Sequence, residues 1–178
     1  YHLKPAIGRS GRRETARQSY SIDAVNEFDP LVDTLYDYCE AQGLDVDTLI
    51  HETGAAQMEI NFLHGDPLKL ADQVFIFKRT LREAAMKHGA YATFMAKPME
   101  EEPGSSMHIH QRLIDIKTGE NIFAGKDGEK FSPEFYHYLG GLQKYTPNAI
   151  SFYAPNVNSY RRFTPDMSAP VNTKWGID

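Results

Sequence analysis

The stretch His51-Glu52-Thr53-Gly54-Ala55-Ala56-Gln57-Met58-Glu59-Ile60-Asn61-Phe62 decides how this chain is read. From Gln57 onward polar and apolar residues alternate. Gln57, Glu59 and Asn61 fall on one face of an extended segment, and Met58, Ile60 and Phe62 on the other, because successive strand side chains point to opposite sides. A strand with one wet face carries such residues at no cost. A strand inside a domain does so only where the polar face lines a wet cavity or binds a cation, since buried unpaired charge is expensive. The segment Ser106-Met107-His108-Ile109-His110-Gln111-Arg112-Leu113 repeats the pattern, with His108, His110 and Arg112 on one face and Met107, Ile109 and Leu113 largely making the other. Two glutamates, Glu52 and Glu59, and two histidines on the polar faces of two expected strands point to a metal site on a sheet.

The donor set narrows the metal. Mg²⁺ and Mn²⁺ accept carboxylate oxygen, and Mn²⁺ tolerates imidazole as well. A carboxylate-rich set without an HExxH motif argues against a zinc hydrolase. The competing reading makes Glu52 and Glu59 solvent-facing residues of an edge hairpin, and the two histidines surface residues.

Outward from this stretch, strands are expected over 46–52 and 56–63, paired around a turn at Thr53-Gly54. Upstream, a helix is expected over 30–42, with Asp29 as its cap, Pro30 in its first turn and Gly43 at its end. Leu31, Leu35, Tyr38 and Cys39 form its apolar face. Downstream, 67–88 is the strongest helix, between Asp66 and Gly89, with Leu70, Val74, Phe77, Leu81 and Ala85 at helical spacing. A strand over 91–96, a glycine-punctuated hairpin and loop over 114–131, and a helix over 133–145 follow. Beyond them Pro147, Pro155, Pro165 and Pro170 break the chain into short pieces. Residues 1–27 read as irregular, with a short strand at the start. No repeat or linker divides the chain.

Composition bounds the function classes. The chain has 178 residues, enough for one domain with a core, and a net charge of −5, which argues against a nucleic-acid-binding surface. The basic cluster Arg9, Arg12 and Arg13 beside Gly8 and Gly11 reads as a solvated loop rather than a phosphate loop. A lone cysteine, Cys39, allows no internal disulfide and points to a reducing compartment, the cytoplasm; its place on a helix gives it a packing role. No apolar run is long enough to span a bilayer. The first residue is Tyr1 and the last residues, Trp175-Gly176-Ile177-Asp178, do not read as a natural tail, so the chain is expected to be a segment of a longer protein.

Taken in order, several motifs resemble the glutamine synthetase family. They are Glu52-(x)4-Gln57-Met58-Glu59, Lys97-Pro98-Met99, Gly104-Ser105-Ser106-Met107-His108-Ile109-His110, Gly140-Gly141-Leu142, Asn158-Ser159-Tyr160-Arg161-Arg162 and Ala169-Pro170. Together they span 52–170. The upstream run Arg17-Gln18-Ser19-Tyr20-Ser21-Ile22-Asp23 looks like the γ-glutamyl–amine ligase branch of that family.

The resemblance implies an ATP-dependent ligase that joins the γ-carboxylate of glutamate to ammonia or a small amine through a γ-glutamyl phosphate. It implies two divalent cations, Mg²⁺ or Mn²⁺. By the same resemblance Glu52 and Glu59 bind the cation near glutamate, and His108 binds the one shared with the nucleotide phosphates. Gly104 offers backbone contact to the amino acid, Arg162 holds its α-carboxylate, and His110 lies near the nucleotide. Three positions depart from the family pattern. Ser168 stands where ammonia-using members carry an acidic residue on a flap, with Asp166 nearby. Pro103 stands where Asn is frequent, and Arg112 where Ser is frequent. The first two departures favour an organic amine as acceptor.

The expected fold is α+β: a curved antiparallel sheet, its polar concave face holding the metals, backed by helices, of the glutamine synthetase catalytic-domain type and truncated at both ends. All of 1–178 is then the central part of that catalytic domain. The family's small N-terminal β-domain and the C-terminal part of the catalytic domain would be absent. Active sites in the family lie between subunits of a homo-oligomeric ring, so this segment is expected to be inactive alone. The alternatives are a noncatalytic metal- or nucleotide-binding homologue with a structural or regulatory role, and a metal-dependent hydrolase that would work without ATP.

Overall fold

In the computed structural model, which describes residues 2–3, 19–165 and 169–177, the chain runs β1 (His2–Leu3), α1 (Ile22–Asn26), α2 (Asp29–Gln42), β2 (Val46–His51), β3 (Met58–Phe62), α3 (Pro67–Lys87), β4 (Ala92–Thr93), α4 (Pro133–Tyr153) and α5 (Val157–Tyr160). The basic cluster at Arg9, Arg12 and Arg13, and the flap residues Asp166 and Ser168, lie outside the described residues. The chain divides into two units, Tyr1–Ser106 and Met107–Asp178.

The first unit is built on the β2–β3 hairpin. Its antiparallel register pairs Val46 with Phe62, Leu49 with Ile60, Ile50 with Glu59 and His51 with Met58, with a register shift between Val46 and Leu49. Met58 and Ile60 are buried while Glu59 and Asn61 are only half-buried, as the alternation requires. α2 and α3 close the core. Leu31, Leu35 and Cys39 of α2 meet Phe77, Leu81, Ala84 and Ala85 of α3 in one cluster with Met58 and Ile60. Phe77 has no exposure, and its ring meets Phe62 edge-on at 5.1 Å between centroids. Each such buried side chain contributes about 1.5–3 kcal/mol relative to exposure.

The helix ends follow from local chemistry. Asp66 accepts hydrogen bonds from the N–H groups of Leu68 and Lys69, and Pro67 needs no donor partner in the first turn. Gly43 ends α2 in the left-handed region, at φ 64°. Asp29, expected as the cap of α2, is instead its first residue. Phe28 takes the cap position with no side-chain cap bond and is 4% exposed. Burying that ring outweighs a cap of about 1 kcal/mol.

The sheet is smaller than the sequence suggests. Among the described residues it is two separate two-stranded antiparallel sheets, β1–β4 and β2–β3. The strand expected over 91–96 is reduced to Ala92–Thr93, and the His-bearing strand over 106–113 does not form. Residues 107–113 are exposed and irregular, without a partner strand among the described residues. An extended segment keeps strand geometry only where its backbone groups join a ladder.

The second unit holds the hairpin-like loop and α4. Isolated bridges join Ile114 to Asn121 and Ala124 to Phe131. Glycine is required at Gly125, where an added Cβ would sit 1.9 Å from the Glu129 carbonyl oxygen. Ser132 caps α4, accepting from the Phe135 N–H at 3.1 Å. Phe123, Phe131, Phe135 and Tyr138 pack ring against ring under its first turns. α4 continues through Pro147 to Tyr153, past the expected end at Tyr145. A proline inside a helix forfeits one ladder bond and crowds the preceding turn, without preventing continuation.

Candidate functional site

Glu52 and Glu59 are placed by the hairpin. The Glu52 N–H donates to the Gln57 carbonyl at 2.7 Å, so the ladder runs one step beyond His51. Glu59 stands opposite Ile50, and Glu52 lies two residues beyond Ile50 on the same face. Such diagonal neighbours have backbones about 7–8 Å apart, near enough for two carboxylates to share one hard cation. Both are half-buried. Two hard oxygen donors on one face suit Mg²⁺ or Mn²⁺, so the residues present fit the metal expected from the sequence.

The turn between them is tightly bonded. The Thr53 N–H donates to Glu52 Oε2 at 3.0 Å, and the Gly54 N–H to Gln57 Oε1 at 2.9 Å. The Gln57 N–H returns to the Gly54 carbonyl at 3.0 Å. Ala56, with no exposure, holds φ 53°. That left-handed conformation costs a non-glycine residue about 1–2 kcal/mol, so the surrounding bonds must hold it.

A second loop, between Ala96 and Ser105, is stitched to this turn. Gln57 Nε2 donates to the Gly104 carbonyl at 3.1 Å, and the Ala55 N–H donates to the Glu102 carboxylate at 3.2 Å. The Lys97 ammonium, 8% exposed, donates to the Glu102 carbonyl, and the Ser105 N–H to the Ala96 carbonyl at 2.8 Å. The first unit therefore brings Glu52, Glu59 and Gly104 into one bonded assembly.

The remaining expected residues belong to the second unit or lie outside the description. His108 and His110 are exposed on the irregular segment. Arg162 follows α5, whose cap Asn156 accepts from the Ser159 N–H at 3.1 Å. It is half-buried, and burial lowers its guanidinium pKa from the usual value. Within neither unit do the described residues gather three or more His, Cys, Asp or Glu into a metal-holding group. Sequence reasoning overlooked Glu102, which reads as the third of three consecutive glutamates, and gave Lys97 no role. Lys97 sits in the Lys-Pro-Met motif, the one signal that marked it; nothing in spacing marks Glu102.

Over residues 1–178 the chain matches the family model described as glutamine synthetase, catalytic domain. The chain belongs to the glutamine synthetase family. Among curated members, gamma-glutamylputrescine synthetase PuuA of Escherichia coli (strain K12) is 38% identical over 177 residues, covering 99% of this chain and 37% of that protein. Glutamine synthetase of Pyrococcus abyssi is 43% identical over 140 residues, covering 79% of this chain and 31% of that protein. A solved structure of apo GmaS without ligand is similar with a TM-score of 0.79 at 30% identity, covering 92% of this chain and 39% of that one. A GmaS/ADP complex is similar with a TM-score of 0.76 at 30% identity, covering 96% and 39%. The chain thus spans less than two fifths of the length of these glutamine synthetase relatives.

Proposed function

We propose that the protein carrying this chain is an ATP-dependent ligase that joins the γ-carboxylate of glutamate to a small organic amine. A γ-carboxylate oxygen attacks the γ-phosphorus of ATP, ADP leaves, and an acyl phosphate results. The amine nitrogen then attacks the acyl carbon, phosphate leaves, and a base takes the amine proton. The observation that carries the reading is the placement of Glu52 and Glu59 as diagonal neighbours on one face of a hairpin bonded to the Gly104 loop. Family membership over the whole chain supports it. So does likeness to a gamma-glutamylputrescine synthetase and to a protein solved with ADP.

In this reading Glu52 and Glu59 hold Mg²⁺ or Mn²⁺, which, when bound, neutralises phosphate oxygens and polarises the carboxylate. Gly104 presents its carbonyl to the α-ammonium of glutamate; a carbonyl has two lone pairs, so the bond from Gln57 leaves one for substrate. Arg162 holds the α-carboxylate with its fork of donors, and its half-buried setting strengthens that pairing. His108 and His110 serve the nucleotide side. Ser168, in place of an acid, gives that position of the acceptor flap no charge to attract ammonium. The whole protein works as a homo-oligomeric ring in the cytoplasm, and this segment alone is inactive.

The test is phosphate release by the full-length protein with ATP, Mg²⁺ and glutamate across ammonium, methylamine, ethanolamine and putrescine. Preference for an organic amine is expected. Preference for ammonium would assign ammonia as the acceptor and overturn the role given to Ser168. Silence with every acceptor in a folded, assembled protein would favour a noncatalytic homologue.

A further inference from the structure

We infer that Gln57 is a positioning residue, a carboxamide clasp that sets the Gly104 carbonyl against the carboxylate hairpin; this role rests on the ligase reading above. Gln57 is 5% exposed and uses both ends of its amide. Oε1 accepts from the Gly54 N–H at 2.9 Å, and Nε2 donates to the Gly104 carbonyl at 3.1 Å. A surface glutamine has no need of this geometry. A carboxylate in its place accepts at both ends but donates at neither, and a hydrocarbon side chain does neither. The amide is thus the ordinary side chain of this length that bonds the turn and the loop together.

The clasp joins two parts with different duties. On one side lies the turn between Glu52 and Glu59, held in a strained conformation at Ala56. On the other lies a loop whose carbonyl would meet the substrate ammonium. The Ala55-to-Glu102 bond runs beside the clasp and Lys97 anchors Glu102 in turn, so the loop is fixed at two points. Two fixed points set both the distance and the tilt of the Gly104 carbonyl. Gln57 touches no substrate; its action passes through Gly104.

The experiment compares the full-length wild-type protein with Gln57→Glu and Gln57→Leu, measuring KM for glutamate, KM for ATP, kcat and Tm. Gln57→Glu keeps the acceptor toward Gly54 and loses the donor toward Gly104. It is expected to raise the glutamate KM about tenfold with the ATP KM close to wild type, and to lower Tm, because a carboxylate at this buried position faces the Gly104 carbonyl oxygen. Gln57→Leu loses both bonds and is expected to raise the glutamate KM at least as far while lowering Tm. Should an active wild type and Gln57→Glu share one glutamate KM, the clasp is refuted and the ligase reading stands. Equal rises in both KM values, with a fall in Tm, would make Gln57 merely structural. A wild-type protein that releases no phosphate with glutamate and any amine overturns both the activity and this role.

Discussion

Cys39 gives the sharpest quantitative test of the fold, because its environment changes both its reactivity and the pH dependence of stability. Its side chain is 2% exposed between α2 and the core, and burial pushes its thiol from an ordinary 9.0 up to about 11. The thiolate is the reactive form. At pH 8, about one in ten ordinary thiols is ionised, against about one in a thousand here, so ionisation alone slows native labelling about a hundredfold. Exclusion of the reagent slows it further. The sign for stability follows from linkage. Below about pH 9 both states keep the proton and stability is unaffected. Between about 9 and 11 the unfolded chain loses the proton while the folded chain retains it, so stability falls as pH rises. The full loss is about 3 kcal/mol. Tyr36 is also raised from its ordinary 10.0, first by burial and then by Cys39 and Asp47, and adds to the fall above about pH 10. The assay is labelling by a chromogenic disulfide in native and urea-unfolded protein at pH 8, then urea midpoints from pH 7 to 11 for wild type and Cys39→Ala. The alanine variant is expected to lose part of the alkaline slope. Native labelling within tenfold of the unfolded rate, or an unchanged slope in Cys39→Ala, would refute the reasoning.

In the full-length protein, Glu59→Gln is expected to weaken Mn²⁺ binding by on the order of tenfold or more, read by titration calorimetry, because it removes a charged oxygen donor; unchanged affinity would return Glu59 to an ordinary polar hairpin residue. Asp66→Ala removes the acceptor for two N–H groups at the start of α3 and should cost about 1 kcal/mol in urea unfolding, with Asp66→Ser recovering most of it. The amine series distinguishes an organic-amine ligase from an ammonia-using one by the acceptor giving the highest kcat/KM.

The elements that were legible in the sequence are those whose stability is local or strongly periodic. α3 shows its cap at Asp66, its stripe of Phe77, Leu81 and Ala85, and its end before Gly89 within one continuous run. The hairpin shows its alternation and its turn at Thr53-Gly54. The segment 106–113 has the same alternation, yet pairing is not a local property: a strand needs a neighbour, and periodicity does not supply one. Phe28 displaced Asp29 from the cap because core burial, which depends on α2 meeting α3, outweighs a single side-chain bond. For the site, Glu52 and Glu59 stood out because charge on a strand beside apolar partners is conspicuous. Glu102 did not, because its partner, the Ala55 N–H, lies 47 residues away in sequence and carries no side-chain signal.

The placement of the two glutamates is tied to the core rather than added to it. Met58 and Ile60 are 3% and 6% exposed, and their burial forces Glu59 to the opposite face. A one-residue slip of β3 would bury Glu59 and expose Met58 and Ile60, losing apolar burial and stranding a charge in one step. The pairing of His51 with Met58 and Ile50 with Glu59 is therefore fixed by packing, and with it the diagonal between Glu59 and Glu52. Packing reaches the turn at Ala56, which joins the core cluster while it sits in a strained conformation. That is where the polar bonds gather: Gln57 to Gly54 and Gly104, and Glu102 to Ala55. Core register sets the carboxylates, and the hydrogen-bonded clasp ties the Gly104 loop to the turn between them, so the apolar pattern and the polar pattern of one twelve-residue stretch divide the construction of the candidate site between them.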